Sequence, residues 1–163
     1  MTFVALLRGI NVGGHNKVEM AKLKKTFEQS GFSKVFTYIN SGNVIFESNL
    51  SNQKQLAETI EKIIFKDFGL SIPVVVTSSE NLQAINKAVP TKWVNNTVQK
   101  TDVMFLWDEV NKPEIIKQFK INPKIERLIY VDGALVWNID RKYINRGEMI
   151  KIVGTKLYKQ MTV

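Results

Sequence analysis

Three glycines lie in the run Arg8-Gly9-Ile10-Asn11-Val12-Gly13-Gly14-His15-Asn16-Lys17, directly after the apolar stretch Phe3 to Leu7. Glycine admits positive φ and close backbone approach, so several N–H groups can converge on one oxyanion, helped by the positive end of the following helix. The expected chemistry is anion binding. Arg8 can grip two oxygens of a carboxylate or phosphate, and Lys17 adds a point charge. A second polar stretch, Tyr38 to Asn43, contributes the amides of Asn40 and Asn43 and the hydroxyl of Ser41. The predicted ligand-binding set is Arg8, Gly9, Asn11, Gly13, Gly14, Lys17, Tyr38, Asn40, Ser41 and Asn43. The competing reading is purely conformational: Gly and Asn turn the chain, and Arg8 pairs with a local acid such as Glu19 or Glu47.

Other chemistries are narrowed by composition. The 163 residues include no cysteine, which excludes disulfides, thiolate metal sites and a cysteine nucleophile. His15 is the one histidine; it could serve as a general base, while a lone loop histidine is ordinarily solvated. Gly9 and Gly14 have P-loop spacing, but His15-Asn16 stands where Lys and Ser or Thr must reach the phosphates and magnesium. No Gly-x-Gly-x-x-Gly follows a strand, so no dinucleotide site is expected. Asp108, Glu109 and Asp140 read as solvated acids at strand ends, and neither a metal nor a cofactor is predicted.

The net charge of +8 is uneven. Residues 1–80 hold nine basic and seven acidic side chains, and 81–163 hold fourteen and eight. Between Arg141 and Lys159 six basic residues face only Glu148. Such a surface favours anionic partners, so nucleic-acid binding through Arg141, Lys142, Tyr143, Arg146 and Lys156 is an alternative, with Tyr143 as the stacking group. Against it stands the simpler role of lysines as solubilising charge.

The elements that must position these groups follow from periodicity. Residues 2–8 read as a strand; Met20, Leu23 and Phe27 recur at helical spacing before Gly31. Val35 to Ile39 and Asn43 to Phe46 are β-prone runs joined by Asn40-Ser41-Gly42. A helix follows Ser51, with Leu56, Ile60, Ile63, Ile64 and Phe68 on one face, and Pro73 to Thr77 is a strand. Strand, helix, strand, strand, helix, strand is the split βαβ order called ferredoxin-like. In that topology the loop after strand one and the turn between strands two and three share one end of the sheet, so the two polar stretches are expected to meet.

Beyond a short helix with Leu82 and Ile85 and a linker, the order begins again. Val103 to Trp107 predicts a strand, Pro113 opens a helix carrying Ile115, Ile116 and Phe119, and strands 125–131 and 134–139 meet at Asp132-Gly133. A last amphipathic helix is expected to carry Val153, Leu157 and Met161, with no final strand. No residue-level repeat links the halves, so duplication rests on element order alone. The expected fold class is therefore α+β, two ferredoxin-like (βαββαβ) halves fused around antiparallel sheets. The divisions are residues 1–77, a connecting helix and linker 78–100, and a shortened second half 101–163. Halves of this size bury a modest share of their surface alone, which favours one fused unit.

The run Leu6 to Gly14, with Lys17-Val18, Met20, Thr37-Tyr38-Ile39 and Ser41 to Phe46, resembles the bacterial family called domain of unknown function 1697. The likeness is specific over residues 2–48 and looser afterwards, where Thr155-Lys156-Leu157 carries it. It implies two ferredoxin-like halves in a small bacterial cytoplasmic protein and brings no established activity. Family members ordinarily continue past the position of Val163 into a segment rich in Arg, Asn, Trp and Thr. Without that segment an exposed sheet edge is expected, open to self-association.

The apolar run Phe3 to Leu7 is too short for a signal-peptide core and nothing reaches membrane-spanning length, so a cytoplasmic chain with no membrane partner is expected. The leading functional expectation is binding of a small anionic metabolite or nucleotide at the glycine loop. An acylphosphatase-like phosphohydrolase, with Lys17 and Asn40 near the positions such chemistry needs, is the enzyme alternative. An RNA-recognition domain shares the element order, but Asn43 to Glu47 carries one aromatic where stacked aromatics are needed.

Overall fold

Strict alternation in β1 (Thr2–Leu7) buries Phe3, Ala5 and Leu7 and leaves the intervening residues half-buried. The computed structural model describes residues 1–40 and 42–163 and divides into two units, Met1–Glu80 and Asn81–Val163. It is a mixed α/β chain with two four-stranded antiparallel sheets.

In the first unit β1 is followed by α1 (Met20–Gln29), β2 (Ser33–Tyr38), β3 (Asn43–Glu47), α2 (Gln53–Phe68) and β4 (Val74–Ser78). α2 begins at Asn52, whose side chain accepts from the Gln55 N–H, and stops at Gly69 in the left-handed conformation. The strand order is β2-β3-β1-β4 with every neighbouring pair antiparallel. β3 lies between β1 and β2, so those two run the same way and end at the same edge. One face of the sheet packs on the helices through Phe3, Phe46, Leu23, Phe27, Leu56 and Ile60, all fully buried. Phe27 meets Phe46 edge-on at 5.6 Å, an arrangement that adds about 0.5–1.5 kcal/mol beyond area burial.

The second unit repeats that strand order. α3 (Ser79–Ala88) spans the boundary and leads to β5 (Gln99–Leu106), β6 (Glu126–Val131), β7 (Ala134–Asp140), α4 (Glu148–Ile152) and β8 (Met161–Thr162). The sheet runs β6-β7-β5-β8. β7 is buried on both faces: Leu135, Trp137 and Ile139 join one apolar cluster, and Ala134 and Val136 join another with Ile85 of α3.

Three expectations for this half are corrected. The final strand is present: Met161 and Thr162 pair with Leu106 and Phe105. Two residues are too few for any sequence period, which is why it was illegible. The expected last helix through Val153, Leu157 and Met161 does not form. α4 stops at Ile152, Gly154 takes φ +84°, and Val153 is exposed while Met161 is buried on β8. Pro113–Gln118 forms a 3-10 helix instead of an α-helix, although Ile115 is buried as its spacing predicts. Among the described residues no helix is long and apolar enough to cross a membrane.

Candidate functional site at the end of the first sheet

The glycine loop folds on itself as a miniature hairpin. Gly13 and Gly14 have φ +58° and +79°, and the His15 N–H donates to the Val12 carbonyl at 3.1 Å. Positive φ at both central positions is the twist-matched two-residue turn of β-hairpins. One rung further back the Asn11 N–H donates to the Asn16 carbonyl at 3.1 Å, and the Asn16 side chain donates to the Gly9 carbonyl at 3.0 Å. Asn11 through Lys17 are all exposed, so His15 and Lys17 stand on a projecting ridge.

Asn11 fastens this ridge to the rest of the unit. Its Nδ2 donates to the carbonyls of Val18 at 2.9 Å and Asn40 at 3.1 Å, and its Oδ1 accepts from the Val18 N–H at 2.8 Å. The loop and the turn after β2 therefore meet, as their shared sheet end requires. The strand end is closed just below: the Leu7 N–H donates to the Gly42 carbonyl at 2.9 Å and the Arg8 N–H to the Pro73 carbonyl at 2.9 Å. Gly42 sits at φ +84°, and a Cβ there would come within 2.9 Å of Ile10 and Leu7. Buried Ile10 fills the space directly beneath the turn, which leaves the outer rim of the hairpin as the surface open to a ligand.

The predicted set is thus partly gathered. Gly9, Asn11, Gly13, Gly14 and Lys17 belong to the hairpin, and Asn40 is joined to it. Tyr38 faces Asn43 in register across β2 and β3. Arg8 lies at the end of β1 beside Pro73; Ser41 falls outside the described residues. Of the acids weighed as partners for Arg8, Glu47 forms an ion pair with Lys34 at 2.9 Å. Ile39, one residue before Asn40, is β-branched, exposed and held at φ +46°. That conformation costs an L residue roughly 1–2 kcal/mol, and strain of this kind gathers at functional sites.

The basic region of the second unit is largely engaged with itself. Arg141 donates to the Asn96 carbonyl at 2.6 Å and to Asn95 Oδ1 at 2.8 Å. Lys142 pairs with Asp140 at 3.1 Å. The Lys142 N–H and ammonium hold the Asp140 carboxyl below its ordinary pKa, and Asp140 in turn raises that of Lys142. Lys142 Nζ and the Arg146 guanidinium lie 4.9 and 5.5 Å from the Tyr143 ring centre. Lys156 is exposed.

Two features had no reading in the sequence. Glu126 is buried: its Oε2 accepts from Trp137 Nε1 at 2.8 Å and from the Glu148 N–H at 2.9 Å, and its Oε1 from the Asn122 N–H at 3.1 Å. It ties β6, β7 and the start of α4 together, with Gly147 packed so closely that a Cβ would lie 2.8 Å from Trp137 and Ile139. The other is a groove of about 620 Å³ on the outer side of α2, lined by Glu58, Glu61, Phe65, Ile72 and Pro73. Lys62 also lines it, and one of the groove's two carboxylates, Glu61, already accepts from the Val74 N–H at 2.9 Å. Among the described residues no group of three His, Asp or Glu side chains could hold a metal ion.

The family model described as protein of unknown function (DUF1697) matches residues 1–137. The chain belongs to that family. Among solved structures it is similar to that of the conserved bacterial protein SP0830 from Streptococcus pneumoniae, with 25% identity and a TM-score of 0.81. That similarity covers 99% of this chain and 90% of the other. Comparison with curated proteins finds no match.

Proposed function

We propose that this chain is a binding module that takes a small anionic ligand on the outer rim of the 11–17 hairpin, beside the turn after β2. The observation that carries the reading is the Asn11 carboxamide, which holds the exposed ridge bearing His15 and Lys17 against Asn40. A ridge fixed in this way offers positive charge without the entropy loss of ordering a free loop. The two units are read as ferredoxin-like halves, on the strand order each shares with that topology. A cytoplasmic setting is read from the cysteine-free composition.

Binding fits the site better than phosphoryl chemistry. Two of the amides a phosphate cradle would use, those of Asn11 and His15, already donate within the hairpin. The nucleic-acid alternative at 141–159 is weakened in the same manner, because Arg141 and Lys142 are held by internal partners and cations flank Tyr143.

Thermal-shift titration with inorganic phosphate and with simple dicarboxylates tests the reading. A ligand at a hundred times its Kd adds about 2.7 kcal/mol of stability. Lys17→Ala is expected to reduce the shift. An unchanged shift in that variant would move the site elsewhere, and no shift with any anion at millimolar concentration would remove it.

A further inference from the structure

We infer that the anion bound at the hairpin is the phosphate of a nucleotide, and that its base lies on the exposed β2 edge of the sheet face turned away from α1 and α2, against Tyr38 and Phe36. The inference rests on the binding-module reading above and adds the ligand class. In β2, Val35 is buried toward the helices, and the alternation of a strand sends Phe36 and Tyr38 to the opposite face. Their register partners are Ile45 and Asn43 on β3, which pair in turn with Val4 and Leu6 on β1. Those four residues are only half-buried, so the rows belong to the face that α1 and α2 do not cover.

Phe36 and Tyr38 are 58% and 56% exposed. Two aromatic rings at positions i and i+2 of one strand stand about 7 Å apart on the same side. Large rings left in water are unfavourable for the isolated fold, and paired on a pleated surface they offer flat stacking faces to a base. The aromatics that an RNA-binding sheet would need, missing from β3 in the sequence, are thus supplied by β2.

Position joins this platform to the hairpin. Tyr38 ends β2, Ile39 follows in its strained left-handed conformation, and the Asn40 carbonyl receives the Asn11 amide. Lys17 adjoins Val18, which the same carboxamide holds on both its N–H and its carbonyl. Tyr38 and the hairpin that carries Lys17 therefore lie at the same end of the sheet. A ligand with an anionic end and a flat aromatic body matches both parts, whereas an inorganic oxyanion meets one. The charge that an anionic ligand would meet here is local, supplied by Lys17 on the exposed hairpin.

The test measures affinities of the full chain for inorganic phosphate, for AMP, GMP, CMP and UMP, and for a ten-residue single-stranded oligodeoxyadenylate. At least one nucleoside monophosphate is expected to bind tenfold or more tighter than phosphate. Phe36→Ala should abolish that advantage while leaving phosphate affinity unchanged, Tyr38→Ala should abolish it as well, Tyr38→Phe should retain it, and Lys17→Ala should weaken phosphate and nucleotide alike. Both rings are exposed, so the alanine variants are expected to keep the parent circular dichroism spectrum. Tighter binding of the oligonucleotide with the same sensitivity to Tyr38 would support the inference, with a single strand as the source of the nucleotide. Equal affinity for phosphate and nucleotides would overturn it and leave the anion site standing; no binding of either would remove both. Nucleotide binding indifferent to Phe36 and Tyr38, or a change of oligomeric state alone in those variants, would also overturn it, the latter in favour of a second copy on this face.

Discussion

Asn11 is the residue on which the candidate site turns, because one carboxamide meets Val18 twice and Asn40 once. Asn11→Ala removes that partner from the Val18 N–H and two carbonyls and puts alanine at φ +54°, and a loss of about 1–2 kcal/mol is expected in urea unfolding. Asn11→Asp should do no better, since a carboxylate would face the Val18 and Asn40 carbonyls. In the second unit Glu126→Gln turns an NH2 group toward N–H donors that now point at a carboxylate. A destabilisation of about 1–3 kcal/mol is expected, with a shift in the tryptophan emission because the acceptor of Trp137 changes from a carboxylate to a neutral amide. Tyr130 gives a pH-dependent readout. Burial is the chief cause that raises its pKa, followed by the charge of Asp132 and, more weakly, Glu114. Stability from this shift is present below the ordinary phenol value near 10 and is lost as pH rises through the higher folded value. Absorbance titration of the protein against Tyr130→Phe should show one phenol ionising late. Of these three residues only Asn11 was legible beforehand, and then as a ligand group. Its neighbours Gly9, Gly13 and Gly14 suggest an anion cradle by composition, whereas the two glycines at the tip are explained by a hairpin turn.

At the scale of elements, helices and strands with strong periods were readable and short ones were not. Leu56, Ile60 and Ile64 repeat over α2 and are buried, and the helix begins just after Ser51 as that spacing predicts, so sequence and fold agree there. The 3-10 segments 113–118 and 141–146 and the two-residue β8 carry no comparable period; tertiary packing decides them. Turn chemistry was the more dependable local signal, and it permits a graded test with three glycines of positive φ. A Cβ at Gly133 would meet the Asn81 side chain at 2.6 Å, one at Gly42 would press on Ile10 and Leu7, and one at Gly31 would meet open space. Gly31→Ala should therefore lose only the backbone term of about 1–2 kcal/mol. Gly42→Ala should lose more, since Ile10 and Leu7 are core residues that cannot swing aside, and Gly133→Ala should fall between them because an asparagine end can move. Thermal denaturation of the three variants checks the order.

Across the whole molecule the sequence disclosed a repeated order of elements and no repeated residues, and the geometry supplies the missing correspondence. The last residue of β1 and that of β5 close in the same way: Leu7 N–H to the Gly42 carbonyl at 2.9 Å, Leu106 N–H to the Gly133 carbonyl at 3.0 Å. The glycines share φ +84° and +83°. An asparagine from the following loop reaches each turn, Asn11 to Asn40, and Asn111 to Asp132 and the Gly133 N–H. Those asparagines stand four and five residues beyond their leucines, an offset that hides the match from any fixed-period comparison. Hydrogen exchange should accordingly find two slow centres, β1 with β3 and β5 with β7, rapid exchange around Val153 and Gly154, and within the hairpin slower exchange at Asn11 and His15 than at their neighbours. Because each strand is sealed before its loop departs, side chains at the exposed tip can be exchanged without disturbing the sheet. The tip around Gly13 is thus where a new specificity could be grafted onto an unchanged frame.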